Sequence, residues 1–572
     1  QINITWTAST DNGGVTGYRI YRNSSNTPIA TVNSSLTSFT DANLTHSTVY
    51  TYKVSAIDAG GNESGFSNEV AVTTKDLLAF PGAEGFGAYS KGGKFGQIIK
   101  VTNLNDNGPG SLREAVTKAG PRIVVFDVSG NINLTSSVLT VNNPYLTIAG
   151  QTSPGGVAVS GKQFNVATHD VIIRHMRFRS GGHQYTGDDS DGDSFDIWGQ
   201  NWGGNPVYNI ILDHCSFTWG TDETLSVTGG ATKTTIQRCL IAEGLNYAKS
   251  SSSRHSKGLM VSGKYNYDTE VSLYRNYIAH VDDRAPLLYN PPAEDHDNVP
   301  IFIVEGTNNV SYNWQSGNRP GNGGDAPVNW TDNYAKEGPN SNRQNFFFEY
   351  ANRLTTPKPL IYVKGNIGTG RLLSDPEWLV SEDWHAVLLS NAWQKSTPWV
   401  VSKSLPSQTM SYSLAQEIVL ESGANIPIRD SVDTRIVNSF AAGTGSIPAR
   451  VTYPDDWPIY SAPAPLSDTD QDAMPDSWES TQGLNSQVDD SALDKDNDGY
   501  TNIEEYLHYL SKDDVSISNE DINSDGNVDI IDVQICVNHI LNVSANQNAD
   551  VNKDGFVDTK DVLMIISEIV NS

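Results

Sequence analysis

No run of eighteen consecutive apolar residues occurs in the chain, so no membrane-spanning helix is expected. Cysteine is nearly missing. Cys215, Cys239 and Cys536 are too few for a disulfide framework, and free cysteines of this kind usually serve as small buried side chains. Basic residues are scarce too, 38 Lys and Arg against 66 Asp and Glu, and no nucleic-acid motif stands out. No glycine-rich phosphate loop follows a strand and opens a helix. Nothing like a leader precedes Gln1. The first residues already read as a strand, which suggests that the sequence begins inside a longer precursor.

The acidity is local. Of the net charge of −28, residues 464–572 carry −20, from 24 acidic and 4 basic side chains, and the first 463 residues carry −8. The charge says little about the partner of the large central region, because the tail's acids fall at metal-ligand spacing.

Residues 1–75 alternate apolar and polar positions in short runs between turn signals, as in ITWTAS, GYRIYRN and TVYTYKVSAID, which suggests an all-β sandwich. Trp6, Tyr18, Leu44, Tyr50, Tyr52, Val54 and Ala56, followed by GNESGFS, resemble a fibronectin type III module lacking its first strand. Any other small sandwich is the plainer alternative.

From Phe80 to about Pro463 short β-rich runs recur in phase: VIIRHMRF, IILDHCSF, TTIQRCLI, VSLYRNYI, NVSYNW and YVKGNIG. Superposed, they place Met176, Cys215, Cys239, Asn276, Asn313 and Asn366 at one equivalent position. Such repetition, with insertions between repeats, marks a solenoid in which each coil buries its face against its neighbours. A recurring Asn at a turn can satisfy the amides of the coils above and below. A large β-sandwich is the alternative, and no long helix is expected in this region.

Four acidic segments then match the calcium-loop pattern of oxygen ligands at positions 1, 3, 5, 9 and 12. They are Asp468, Asp470, Asp472, Asp476 and Glu479; Asp494, Asp496, Asp498, Asn502 and Glu505; Asp521, Asn523, Asp525, Asp529 and Asp532; and Asp550, Asn552, Asp554, Asp558 and Asp561. Gly499, Gly526 and Gly555 stand at the sharp turn, where the first loop has Ala473. The last two loops, each followed by an apolar helix-like run, resemble a dockerin. That resemblance implies calcium-dependent docking onto a cohesin; a calcium-stabilised module without a cohesin is the alternative. A solvated acidic stretch is the bland reading of all four.

The central region also carries FPGAEGFGAYSKGG, VTNLNDNGPGSLREAV, LTIAGQTSPGG, LDHCSFTWGTDETLSV, HSKGLMVSG and DDRAPLLYN, in that order. These motifs resemble polysaccharide lyase family 1, the pectate lyases, over nearly 400 residues. The resemblance implies an all-β fold, a right-handed parallel β-helix over residues 78–463. A fibronectin type III domain would occupy 1–75, a calcium-loop segment 464–512 and a dockerin-like domain 518–570. It also implies a secreted enzyme that cleaves pectate by calcium-assisted β-elimination. A lyase of the same mechanism on another acidic polysaccharide is one alternative; a non-catalytic polysaccharide-binding β-helix is the other.

Matched residue by residue, the resemblance implies a catalytic calcium at Asp191, Asp193 and Asp222. The family's second acid, four residues after Asp222, is replaced by Ser226, which would pass a ligand role to Glu223. Arg284 aligns with the family's proton abstractor and Lys257 with its carboxylate-binding lysine. Chemistry alone supports less: a cation at Arg284 would stabilise a carbanion, since a guanidinium ordinarily stays protonated. Tyr289 stands where the family commonly has another arginine, so one carboxylate subsite is altered. Tyr289, Arg179 and His255 complete the expected substrate-binding set. The basic runs Arg174, His175, Arg177, Arg179 and Lys249, Arg254, Lys257, Lys264 would focus an anionic polymer on the cleft, or line a solvated face. Surface ion pairs and solvated turn acids are the bland readings of the individual residues.

Overall fold

The computed structural model describes residues 2–41, 44, 48–74, 76–182, 192–199, 205–246, 255–264, 267–290, 301–316, 321–324, 327–342, 361–369, 371–375, 377, 395–461, 463–512, 562 and 565. The chain forms two compact units, Gln1–Ala79 with Ala83–Glu504, and Phe80–Gly82 with Glu505–Ser572. In the second, residues 505–511 of the helix Asn502–Ser511 supply most of what is described.

From Gln97 the first unit climbs by repeating the same three strands. One coil runs Tyr208–Asp213, Ser216–Thr218 and Glu223–Thr228; the next runs Thr232–Gln237, Leu240–Ala242 and Lys257–Ser262. Each strand pairs in parallel with its equivalent one coil away, giving, among the described residues, three parallel sheets of seven, ten and nine strands. Alternation along each strand turns Ile210, Leu212, Phe217, Leu225 and Val227 inward, all fully buried, with Cys215 at the corner. Like stacks on like: the rings of Phe178 and Phe217 lie 5.5 Å apart, one coil apart. The result is a parallel β-helix with a single continuous apolar interior.

From 175–176 to 365–366 the corner between the second and third sheets is two residues, the first in the left-handed region and the second pointing inward. The left-handed residues are His175, His214, Arg238, Arg275, Asn308, Asp332 and Gly365, with φ from 48° to 67°. The inward ones are Met176, Cys215, Cys239, Asn276, Asn309, Asn333 and Asn366, all buried. The asparagines form a ladder. Asn276 Nδ2 donates to Asn309 Oδ1 at 2.9 Å, Asn309 to Asn333 at 3.0 Å and Asn333 to Asn366 at 2.9 Å. Asn276 Oδ1 accepts from the Cys239 amide at 2.9 Å, where the ladder gives way to sulfur. The superposed run around 309–314 contains two asparagines four residues apart, and the ladder uses Asn309, not Asn313. Asn313 lies at the next corner and donates to His280 Nδ1 at 2.7 Å.

Helices do occur in the lyase-like region, contrary to the sequence reading. Tyr412–Glu421 is capped by Ser411 and Ser431–Ala442 by Asp430, whose carboxylate accepts from the amides of Val432 and Asp433. Both lie against the outer side of the nine-stranded sheet, where Ile418, Ile436 and Phe440 pack on Tyr277 and Tyr312.

At the N-terminus a four-stranded antiparallel sheet, ordered Ala30–Asn33, Val15–Arg22, Val49–Asp58 and Val70–Thr73, accompanies a pair, Ile2–Thr5 with Ser38–Asp41. Tyr18, Ile20, Leu44, Tyr50, Tyr52, Val54 and Ala56 form its core, with Trp6 partly buried against it.

Candidate active site

Register gathers the candidate residues. On the seven-stranded sheet Phe195 pairs with Leu225, Leu225 with Leu259, and Glu223 with Lys257, while Lys257 bridges to Asp283. Glu223, Lys257 and Asp283 therefore occupy one column on three successive coils. Asp193 joins them from the coil before, its Oδ1 accepting from the Glu223 amide at 3.0 Å. Asp222 and Arg284 each sit one residue from that column.

The acids converge. Asp193, Asp222 and Glu223 each bring a carboxylate oxygen within 4.8 Å of the others. Asp193 and Glu223 are buried, at 7% and 3% exposure, whereas Asp222 is only partly covered. Burial pushes the Asp193 carboxyl up to about 8; the Ser226 hydroxyl draws it down, Asp222 raises it further and Arg284 lowers it. Crowded acids in a poorly hydrated pocket fit a hard, oxygen-preferring cation, whose charge removes that mutual cost. Asp193, Asp222 and Glu223 are the residues that would hold it.

Arg284 faces this pocket from the neighbouring coils. Its Nη1 pairs with Glu223 Oε1 and lies 3.6 Å from the sulfur of Met260. Desolvation pushes the guanidinium below its ordinary range, and Asp222 and Asp193 pull it back. The backbone of Arg284 is in the left-handed region, φ 62°, a costly place for a long side chain. Its amide is held by Asp283 Oδ1 at 2.8 Å. Asp283 also faces Lys257 Nζ at 3.4 Å, which makes it a local organiser that the sequence reading passed over. Its signal was its position, next to the arginine in DDRAP.

His255 lies at the rim. Its Nδ1 faces the Thr221 carbonyl at 2.8 Å, so that nitrogen is the donor, and Nε2 lies 3.3 Å from Asp222 Oδ1. Nε2 bonds that carboxylate only when both ring nitrogens carry protons. Tyr289, on strand Leu287–Asn290 and paired with Ser262, is 39% exposed.

Arg179 is not a substrate ligand. It is fully buried, with Nη1 2.6 Å from Asp430 Oδ2 and Nη2 2.6 Å from Asp433 Oδ1. Arg177 is likewise buried and its Nε lies 3.0 Å from Asp430. Arg174 Nη2 pairs with the buried Asp213 at 2.8 Å, and His175 is 1% exposed. The run RHMRFR therefore ties coils and covering helices together, and no cleft field comes from it. Alternation in the sequence could not show that these side chains face a helix instead of water.

Asp191, Lys249 and Arg254 lie outside the described residues, as do Asp521, Asn523, Asp525, Asp529, Asp532, Asp550, Asn552, Asp554, Asp558 and Asp561. In the 464–512 segment Asp468, Asp470 and Asp472 converge, as do Asp494, Asp496 and Asp498. Asp476 does not turn to its loop's acids. It opens the helix Asp476–Gln482, and its oxygens accept from Ser467 Oγ at 2.6 Å and from the Thr469 amide at 2.8 Å. Asn502 likewise serves the backbone, accepting from the Lys495 amide and donating to the Asp490 carbonyl. Glu505 lies on Asn502–Ser511.

The Fibronectin type III domain matches residues 1–73 and the Dockerin type I domain residues 519–570. The probable pectate lyase C of Aspergillus flavus is 33% identical over 445 residues, covering 76% of this chain and 95% of that protein. That of Aspergillus oryzae is also 33% identical over 445 residues, with the same coverage. A solved Bacillus subtilis pectate lyase mutant aligns with 61% of this chain and 98% of its own at 15% identity and a TM-score of 0.43. On the strength of the Aspergillus relatives, the chain belongs to the pectate lyase family of polysaccharide lyases, with a fibronectin type III module ahead of the lyase region and a dockerin module behind it.

Proposed function

We propose that the protein is a secreted enzyme that cleaves pectate by calcium-assisted β-elimination to give unsaturated oligouronides. The observation that carries the reading is the pocket of Asp193, Asp222 and Glu223 facing Arg284 from adjacent coils. The step removes the proton at C5 of a uronate, makes the C4–C5 double bond and breaks the C4–oxygen bond to the leaving sugar. Bound calcium would neutralise the substrate carboxylate and so acidify C5. Arg284 stands where the proton leaves, and its desolvation favours the neutral guanidine that a base requires. Lys257, held by Asp283, binds a substrate carboxylate beside the cleaved bond. Glu223 holds the guanidinium in place from the metal side.

The test is the appearance of ultraviolet-absorbing unsaturated products from polygalacturonate with added calcium. Undiminished turnover in a chelator would overturn the calcium role. Polymer binding without turnover would favour a non-catalytic β-helix. A second reading keeps the chemistry and changes the polymer, because Tyr289 presents a half-open aromatic face, suited to stacking on a sugar, where the family commonly has arginine. A panel of acidic polysaccharides separates the two. The dockerin module supports attachment to a cohesin-bearing partner, which pull-down with and without calcium would test.

A further inference from the structure

Residues 464–504 carry eleven acidic side chains and one basic one, Lys495. Three groups of carboxylates converge there, and the middle group, Asp472, Glu479 and Asp490, belongs to neither loop alone. Asp490 lies between the two loops and outside the ligand spacing of both. Glu479 is fully buried and Asp472 is 1% exposed. Both oxygens of Glu479, both of Asp470 and Oδ2 of Asp472 are buried without a hydrogen-bond partner. Anionic oxygens buried with no donor are strongly unfavourable, and a hard cation ligated by oxygens is the group that relieves them.

The same segment is gripped by two lysines from the start of the solenoid. Lys100, on strand Gln97–Val101, places Nζ 2.5 Å from Asp468 Oδ2. Lys94 Nζ donates to the Gly499 carbonyl at 2.7 Å, lies 3.6 Å from Glu504 and sits 4.7 Å over the ring of Tyr500. The Tyr500 hydroxyl donates to the Leu78 carbonyl at 3.2 Å. Each lysine reaches an atom whose position depends on a folded loop: the first acid of one and the turn glycine of the other. Without a cation the clustered carboxylates repel one another and the loops lose the shape that the lysines grip.

We propose that a calcium ion held by Asp472, Glu479 and Asp490, with Asp468 and Asp470 alongside, clasps the 464–504 segment onto the first coil of the β-helix. The lyase region is then stabilised by calcium that takes no part in the reaction. This inference stands apart from the groove and does not require the catalytic reading.

The experiment uses the full chain. Bound calcium is counted by equilibrium dialysis, and unfolding of the β-helix is followed by near-ultraviolet circular dichroism in calcium chloride and in chelator. D490N and E479Q are each expected to bind at least one fewer calcium and to lose part of the calcium-induced rise in the β-helix Tm. The double variant K94M/K100M is expected to keep the calcium count but lose the same part of that rise. D193N, in the groove, is expected to keep it. If D490N and E479Q bind as many ions as the parent, the site is disproved; an undiminished rise in K94M/K100M disproves the clasp. D490N changes a partly exposed side chain, and its Tm in chelator, compared with the parent's, shows whether the metal-free fold is intact.

Discussion

The amide of Leu259 donates to the carbonyl of Arg284 across 2.7 Å, so the proposed base is fixed by its backbone to the strand that carries Lys257. Little of its placement depends on the long side chain alone. Arg284→Ala is therefore expected to leave the fold intact and lower kcat roughly 10²- to 10⁴-fold with a modest change in KM. Steady-state kinetics on polygalacturonate check this; a large rise in KM with kcat preserved would make Arg284 a binding residue.

Gly258 is what lets that backbone approach. A Cβ there would lie 2.4 Å from the Arg284 carbonyl oxygen, an approach that no side chain tolerates. Gly258→Ala should cost about 1–3 kcal/mol and displace the arginine, so that activity falls more than stability alone explains. Denaturant unfolding and kcat, measured on one preparation, separate the two effects.

Calcium binding at the groove should strengthen with pH. Asp193 is pushed up to about 8 in the folded chain, so a proton competes with the ion until the pH passes that value. The metal-free protein should show the opposite trend. An acid whose folded value is raised holds its proton more tightly when native, so stability falls as pH climbs from the ordinary carboxylate range through 8. Calcium titrations at pH 6, 7, 8 and 9 on parent and Asp193→Asn test this, and the variant should lose most of the slope.

Arg179→Ala should destabilise the lyase region by roughly 3–5 kcal/mol, because the buried Asp430 and Asp433 would lose one of the two arginines that face them and keep only Arg177. KM of whatever folds should not change. A selective KM effect with unaltered Tm would restore the substrate role that the structure removes.

Tyr289→Arg should lower KM for polygalacturonate several-fold if the altered subsite is what loosens binding of a plain polyuronide. An unchanged KM, together with a loss of binding in Tyr289→Ala, would assign the ring to stacking.

Much of this was legible in the sequence, for identifiable reasons. The solenoid showed through because the coils from 175–176 onward repeat one two-residue corner, so Cys215, Cys239 and Asn276 recur in phase. Asp222, Glu223 and Arg284 stood out because DETLS and DDRAP lie in motifs of fixed order. Asn309 was missed because a second asparagine four residues on competed for the same alignment. Arg179 was misread for a deeper reason. Its partners, Asp430 and Asp433, lie about 250 residues away on a helix that no local pattern links to it. Asp490 was missed because it obeys no loop spacing, only proximity.

The corner that carries the ladder never varies from 175–176 through 365–366, while the connections leading into the seven-stranded sheet run 180–194 in one coil and 219–222 in the next. One edge of each coil thus behaves as a spine and the other as a free margin. Segments exchanged along the margin should alter what polymer the groove accepts without shifting a single rung, so substrate range can drift in this architecture while its scaffold stays still.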